Sequence, residues 1–239
     1  MLVKAVPLSD LHAAYRQGRC PICALNERDE RRYIDIALYD QVTNVTWRAQ
    51  IRDARGFCAP HTTRILDEGR SALGIALIAD DLVKTLREKL QSGSPEGGRT
   101  WSRLRGAFGG AGRALAAALR GTQPCPLCAH LLQQTPVHLR SLLQDLATEV
   151  GQAAYAPSPG LCVAHLVGAF EIDEFEAGGA FLTQHQQHVW QALEAELQEF
   201  IRKSDYQHAG EPIGEERDAW RRAFRLLAGW QSGQHLRRG

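Results

Sequence analysis

Leu139, Leu142, Leu143, Leu146 and Val150 recur at the three- and four-residue steps that line one face of an α-helix. Ile75, Ile78, Leu82, Leu86 and Leu90 do the same, as do Val189, Leu193, Leu197 and Ile201. A fourth stripe, Trp220, Ala223, Phe224, Leu227 and Trp230, faces away from Arg217, Arg221, Arg222 and Arg225, with Glu215 and Glu216 at the positive N-terminal end. No run alternates apolar and polar positions with β-branched side chains, so the pattern predicts an all-α fold. The last stripe reads as a helix that closes the bundle with its apolar face; the competing reading is a basic amphipathic helix that docks on a partner or a membrane.

Breakers divide these stripes. Ala156-Pro157-Ser158-Pro159-Gly160 ends one helical segment, and residues 91–123 are rich in glycine. That insert is also the most basic part of the chain: Arg99, Arg103, Arg105, Arg113 and Arg120 are opposed only by Glu96. It reads as a solvated linker with a short helix around Ala114–Leu119. The competing reading is a contact for phosphate, nucleic acid or anionic lipid, but Trp101 and Phe108 are too few for a base-stacking surface.

The six cysteines change the picture most. They form two matching sets, Cys20-Pro21-Ile22-Cys23 with Cys58-Ala59-Pro60-His61, and Cys125-Pro126-Leu127-Cys128 with Cys162-Val163-Ala164-His165. Similar intervals separate the pairs in the two sets, and each second pair follows a glycine and an apolar residue, Gly56-Phe57 or Gly160-Leu161. This is an internal repeat. Proline presets the φ of a first helical turn and glycine accepts a sharp approach, so every pair reads as a turn entering a helix. Residues i and i+3 in such a turn present two donors to one side, and the positive helix end favours thiolate over thiol.

Three thiolates and one neutral imidazole complete a closed tetrahedral shell of the structural zinc type. The expectation is therefore two Zn2+ ions per chain. Within each repeat one ion clips the ends of a helical hairpin: Cys20, Cys23, Cys58 and His61 hold the first, Cys125, Cys128, Cys162 and His165 the second. Disulfides would leave an odd thiol in each repeat, and a redox pair would need the strand and helix context that is missing here. An iron–sulfur cluster on the same ligands stays open at this point.

The repeat divides the chain into a first helical unit (1–90), the basic linker (91–123), a second unit (124–203) and a C-terminal loop and amphipathic helix (204–239). With 28 basic and 27 acidic residues in 239, net charge gives no argument for nucleic acid or membrane. The N-terminus lacks the apolar run of a secretory signal and no stretch is long enough to span a bilayer, so a cytoplasmic protein is expected. That compartment is reducing, which favours metal over disulfide.

Other chemistry is sparse. His185 and His188 are three apart, with Glu194 further on, but His185 lies on the stripe of Phe181, Val189 and Leu193, where a hydrogen-bonded core histidine is the ordinary case. Lys203-Ser204-Asp205-Tyr206-Gln207-His208 and Glu215-Glu216-Arg217-Asp218 hold acids, bases and a tyrosine, as many helix ends do. The stretch Gly106–Gly112 lacks the preceding strand and following lysine of a phosphate loop. Nothing points to an enzyme.

The duplicated CPxC and GxCxxH motifs, followed by Lys203–His208 and Glu215–Trp220, resemble a family of bacterial proteins known only as a domain of unknown function. The likeness covers most of the chain and implies no activity. The expected role is a zinc-stabilised scaffold that binds another macromolecule, with a protein as the partner. The alternatives are a redox or metal-handling protein and a nucleic-acid binder using Arg99–Arg120.

Overall fold

The stripes fold as helices, and the proline and glycine positions place many of their ends. The structure is a computed structural model describing residues 6–67, 71–92, 110–208 and 210–229. Among these residues there are eleven α-helices and no strand. They are α1 (Leu8–Tyr15), α2 (Pro21–Tyr39), α3 (Val45–Ala54), α4 (Ala59–Asp67), α5 (Ala72–Ser92), α6 (Gly110–Leu119), α7 (Pro126–Leu146), α8 (Glu149–Tyr155), α9 (Val163–Phe170), α10 (Phe175–Lys203) and α11 (Ala219–Ala228). Pro21 and Pro126 open their helices, where a missing N–H costs nothing. The all-α expectation holds, as does the short helix in the linker.

Two compact units make up the fold. The first takes the described residues up to 29 and those from 131 on; the second takes residues 30–130. Thus α2 and α7 each contribute to both.

In the first unit the leucine stripe of α7 is the centre of the core. Leu139, Leu142, Leu143 and Leu146 are buried with Leu11, Tyr15, Ile22, Tyr155, Leu161 and Leu182. Val150 does not extend that stripe: α7 ends at Leu146, and Thr148 caps α8 by accepting from Gly151 N, which leaves Val150 73% exposed. α1 packs on α8, and Tyr15 donates its hydroxyl to Asp145 at 2.9 Å while His12 Nε2 stands 3.0 Å from the same carboxylate.

The second unit buries Ile34, Leu38, Trp47, Ile51, Ile65 and Ile78. Asn44 caps α3 by accepting from Trp47 N, and the Trp47 indole donates to the Tyr33 hydroxyl. Arg48 and Arg52 of α3 share Asp81 of α5 at 3.0 and 2.7 Å. Of the α5 stripe only Ile78 is buried; Leu90 is 46% exposed.

The C-terminal helix departs from expectation. Its buried side is Ala219, with Arg222, Ala223 and Leu226 half-buried, whereas Trp220, Phe224 and Leu227 are 43%, 69% and 62% exposed. It does not close the core with its large apolar residues. The polar stretch before it acts as a clasp: Lys203 Nζ binds Glu216 Oε1 at 2.8 Å and the Pro212 carbonyl at 2.9 Å, and Arg222 pairs with Glu196 and Asp218. Arg99, Trp101, Arg103, Arg105, Phe108 and Trp230 lie outside the described residues.

Candidate metal centres

Each cysteine pair stands at a helix entrance, as the proline and glycine positions predict. Cys20 and Cys23 straddle the start of α2, Cys125 and Cys128 that of α7, Cys58 precedes α4, and Cys162 is the N-cap of α9. In two of these turns the sulfur takes the acceptor role of a capping side chain: Cys125 accepts the Cys128 backbone N–H, and Cys58 that of His61. Gly56 and Gly160 have φ of 96° and 77°, the left-handed region that glycine enters freely.

The long helix that follows each histidine holds its approach turn. In one unit Gln186 of α10, almost fully buried, accepts the Leu161 N–H at 2.8 Å, and a Cβ on Gly160 would lie 2.6 Å from its carboxamide. In the other, a Cβ on Gly56 would lie 3.2 Å from Leu82 of α5. Sequence reasoning passed over Gln186, because a lone glutamine on an apolar stripe carries no signal of its own.

All eight predicted ligands come together, but in the exchanged combination. Centre one consists of Cys20, Cys23, Cys162 and His165; centre two consists of Cys58, His61, Cys125 and Cys128. The expected sets, in which each repeat closed on itself, are corrected: the CPxC of one repeat meets the CxxH of the other.

Helix length gives the reason. α2 has 19 residues, about 28 Å at 1.5 Å per residue, whereas the returning α3 has only ten and covers about 15 Å. α7 has 21 residues and α8 only seven. Neither return is long enough to bring a CxxH back to the start of its own hairpin.

Tertiary contacts complete the exchange. Thr122 N donates to the Asp53 carbonyl at 2.8 Å and Arg55 reaches the Ala118 carbonyl at 3.1 Å, which carries Cys125 to Cys58. The docking of α1 on α8 and Asp145 carries Cys20 to the other half.

The donor atoms of each set lie within 4.8 Å of one another. In centre one His165 Nδ1 is 3.4 Å from Cys20 Sγ, 3.4 Å from Cys23 Sγ and 3.2 Å from Cys162 Sγ, and Cys23 and Cys162 are 3.8 Å apart. Centre two repeats this: His61 Nδ1 stands 3.1, 3.3 and 3.4 Å from Cys58, Cys125 and Cys128, with Cys58 and Cys128 3.7 Å apart. The cysteines are free, and such separations far exceed the about 2.05 Å of a disulfide. For bonds of about 2.3 Å to sulfur and about 2.0 Å to nitrogen, the edges of a tetrahedral shell are about 3.8 and 3.5 Å. Each set could hold a metal ion.

Without a cation the sulfurs cannot share their charge evenly. Hydrogen bonds from Cys20 and Cys23, with His165 beside them, pull Cys162 far below the usual thiol range, while burial pushes Cys20 well above it. In centre two the hydrogen bond from Cys128 carries Cys125 down to about 3 against its burial, and the same interaction, with burial, pushes Cys128 upward. Burial works to lower His165, yet hydrogen bonding to Cys162 and Cys23 raises it to about 10. One thiolate ionises at its neighbours' expense; a divalent cation would remove that competition.

The histidines' second nitrogens are also placed. His61 Nε2 lies 3.6 Å from Glu30 Oε1, and both residues are almost completely buried. His165 Nε2 lies 3.4 Å from the Asn26 carboxamide, which also contacts Thr135 and, at 3.0 Å, His138 Nδ1; His138 Nε2 reaches Asp29 at 2.9 Å. Neither Glu30 nor Asn26 was singled out in the sequence, where both are ordinary polar positions of α2.

The centres differ in burial. Cys20, Cys23 and Cys162 belong to the apolar core of their unit, and a Cβ on Gly229 at the end of α11 would lie 3.2 Å from Cys162 Sγ. Cys58, Cys125 and Cys128 are only half-buried. Beside centre one a cavity of about 580 Å³ is lined by Cys20, Ser158, His185, His188, Glu196 and Arg222, among others. His185 is the hydrogen-bonded histidine expected: its Nε2 meets the Ser158 carbonyl at 3.1 Å and its ring packs on Tyr155 and Phe181.

The model of a family of unknown function, DUF6062, matches residues 2–234. No curated protein and no solved structure matches the chain.

Proposed function

The chain belongs to that family, which carries no assigned activity, and from its geometry we propose a zinc-stabilised helical scaffold that acts by binding another macromolecule. The observation that carries the metal reading is the pair of Cys3His sets, with donors spaced like the edges of a tetrahedral shell and the free ring nitrogen of each histidine directed at a buried polar group. In centre two Glu30 Oε1 faces His61 Nε2 at 3.6 Å, the placement of a carboxylate–histidine–zinc triad in which a small shift would let the carboxylate accept the Nε2–H.

In centre one Asn26 Nδ2 faces His165 Nε2 at 3.4 Å, and a half-turn of the carboxamide would put Oδ1 there to accept the corresponding proton. Its Nδ2 would then donate to His138, whose Nε2–H is held by Asp29. Every member of that chain is satisfied once His165 Nδ1 is given to a metal.

Single zinc ions fit these sets better than iron–sulfur clusters, whose cysteines are spread over separate irons and need wider spacing. A four-ligand shell leaves no position for substrate, which favours structure over catalysis. Elemental analysis of protein purified anaerobically without chelator tests the reading. The expected result is a colourless protein with about two zinc ions per chain; a brown protein with iron and acid-labile sulfide would overturn it.

A further inference from the structure

The most conspicuous feature left over is the outer face of α11. Trp220, Phe224 and Leu227 fall at i, i+4 and i+7, on one side of the helix, and all three are exposed. Arg217, Arg221 and Arg225 form the adjoining ridge, also exposed, and the Arg221 guanidinium lies 4.8 Å from the Trp220 ring centroid. The opposite side, Ala219, Arg222, Ala223 and Leu226, is turned into the protein, so the helix is already docked by its small and aliphatic residues. The uncharged α9 packs on α11 and adds exposed Val167 and Phe170.

Large apolar side chains left in water beside arginines cost free energy unless something covers them. The clasp explains how the helix stays presented: Lys203–Glu216 fixes its entry, Arg222 is tied to Glu196 and Asp218, and Gly229 fits its exit against Cys162.

We propose that this face of the first unit docks on an anionic lipid surface. The tryptophan, phenylalanine and leucine enter the headgroup boundary and the arginine ridge meets the lipid phosphates. The composition is that of an interfacial helix, an aromatic and aliphatic stripe with arginines at its rim, and the charge is complementary to an acidic leaflet. Side chains of Trp and Arg suit that depth, each with an apolar body and a polar end. An acidic protein groove is the rival occupant. The proposal names a partner for the interaction role and rests on the scaffold reading there alone; metal content and lipid binding are read separately.

The test is co-sedimentation of the full metal-loaded chain with phosphatidylcholine vesicles, with and without phosphatidylglycerol. Binding is expected only to the anionic vesicles and should weaken as salt is added. Phe224→Glu with Leu227→Glu should abolish it. Arg217→Glu with Arg221→Glu, which leaves the apolar stripe intact, should weaken it about tenfold or more.

All these side chains point outward, so zinc content should match the parent; should the first variant lose metal, the arginine variant decides. Absence of vesicle binding, equal binding to neutral vesicles, or unchanged binding in the arginine variant would sink the proposal. A dimer in solution that dissociates on Phe224→Glu would overturn it in favour of self-association. A two-zinc protein that ignores vesicles loses this proposal alone, whereas a vesicle-binding protein without zinc loses only the metal reading.

Discussion

At the scale of single residues, the groups behind the candidate ligands offer the test that would separate a metal shell from a cluster of buried thiols. His61 is fully buried and its Nε2 faces Glu30 at 3.6 Å, an arrangement with little purpose unless Nδ1 is committed elsewhere. Glu30→Gln keeps the size and removes the charge. It should weaken zinc at centre two by about 10- to 100-fold in a chelator competition while centre one holds its ion. Zinc held at centre two as tightly in the variant as in the parent would remove Glu30 from that role.

Tyr15 makes a simpler case. Its hydroxyl is buried on Asp145, which together with burial drives the phenol pKa upward, so it stays neutral and donates. Tyr15→Phe should cost about 1 kcal/mol in denaturant unfolding, because Asp145 loses one donor and keeps His12. A loss within error would mean that water replaces the hydroxyl.

At the scale of elements, helix lengths and close approaches decide which ends meet. The GxCxxH turns are held from behind by the long helices α5 and α10, and α10 in turn lies so near α7 that a Cβ on Gly178 would stand 2.4 Å from the Leu143 carbonyl and 2.7 Å from Leu146 Cβ. Gly178→Ala should therefore separate the two helices and cost about 1–3 kcal/mol, despite the better helix propensity of alanine. Stabilisation by that substitution would show the helices can part freely.

The elements carrying the ligands of centre two leave its cysteines half-buried, while centre one sits in an apolar core. A coloured chelator should consequently draw zinc in two phases, and Cys58→Ser should delete the fast one. Deletion of the slow phase instead would reverse the order of accessibility.

At the scale of the whole molecule, the exchange of ligands means that neither repeat can complete a centre with its own residues. Double substitutions read this directly. Cys20→Ser with Cys162→Ser strikes one centre and should leave about one ion per chain, whereas Cys20→Ser with Cys58→Ser strikes both and should leave about none. The opposite pattern would restore the self-contained repeats. An ion in each centre would be a long-range staple: centre one brings together residues 139 or more apart in sequence, and centre two residues 64 or more apart across its two pairs. Closing such long loops restricts the unfolded chain.

Much of this was legible in the sequence. The helical class followed from apolar periodicity, the eight clustered donors from their duplicated spacing, and the turns at each pair from proline after cysteine and glycine before it, because these are local properties of a short stretch of chain. The exchange was not, although the disparity between outgoing and returning helices holds its cause; boundaries such as the stop at Leu146 had to be known first. The fate of α11 was equally hidden. An amphipathic pattern states that one face differs from the other, but which face turns inward depends on what it meets, and here Ala219 and Leu226 meet the protein while Trp220 and Phe224 are left outside. Sequence alone determined the elements and their chemistry; only the tertiary structure decided which ligands share a centre and which surface stays bare, since both depend on contacts between residues far apart in the chain.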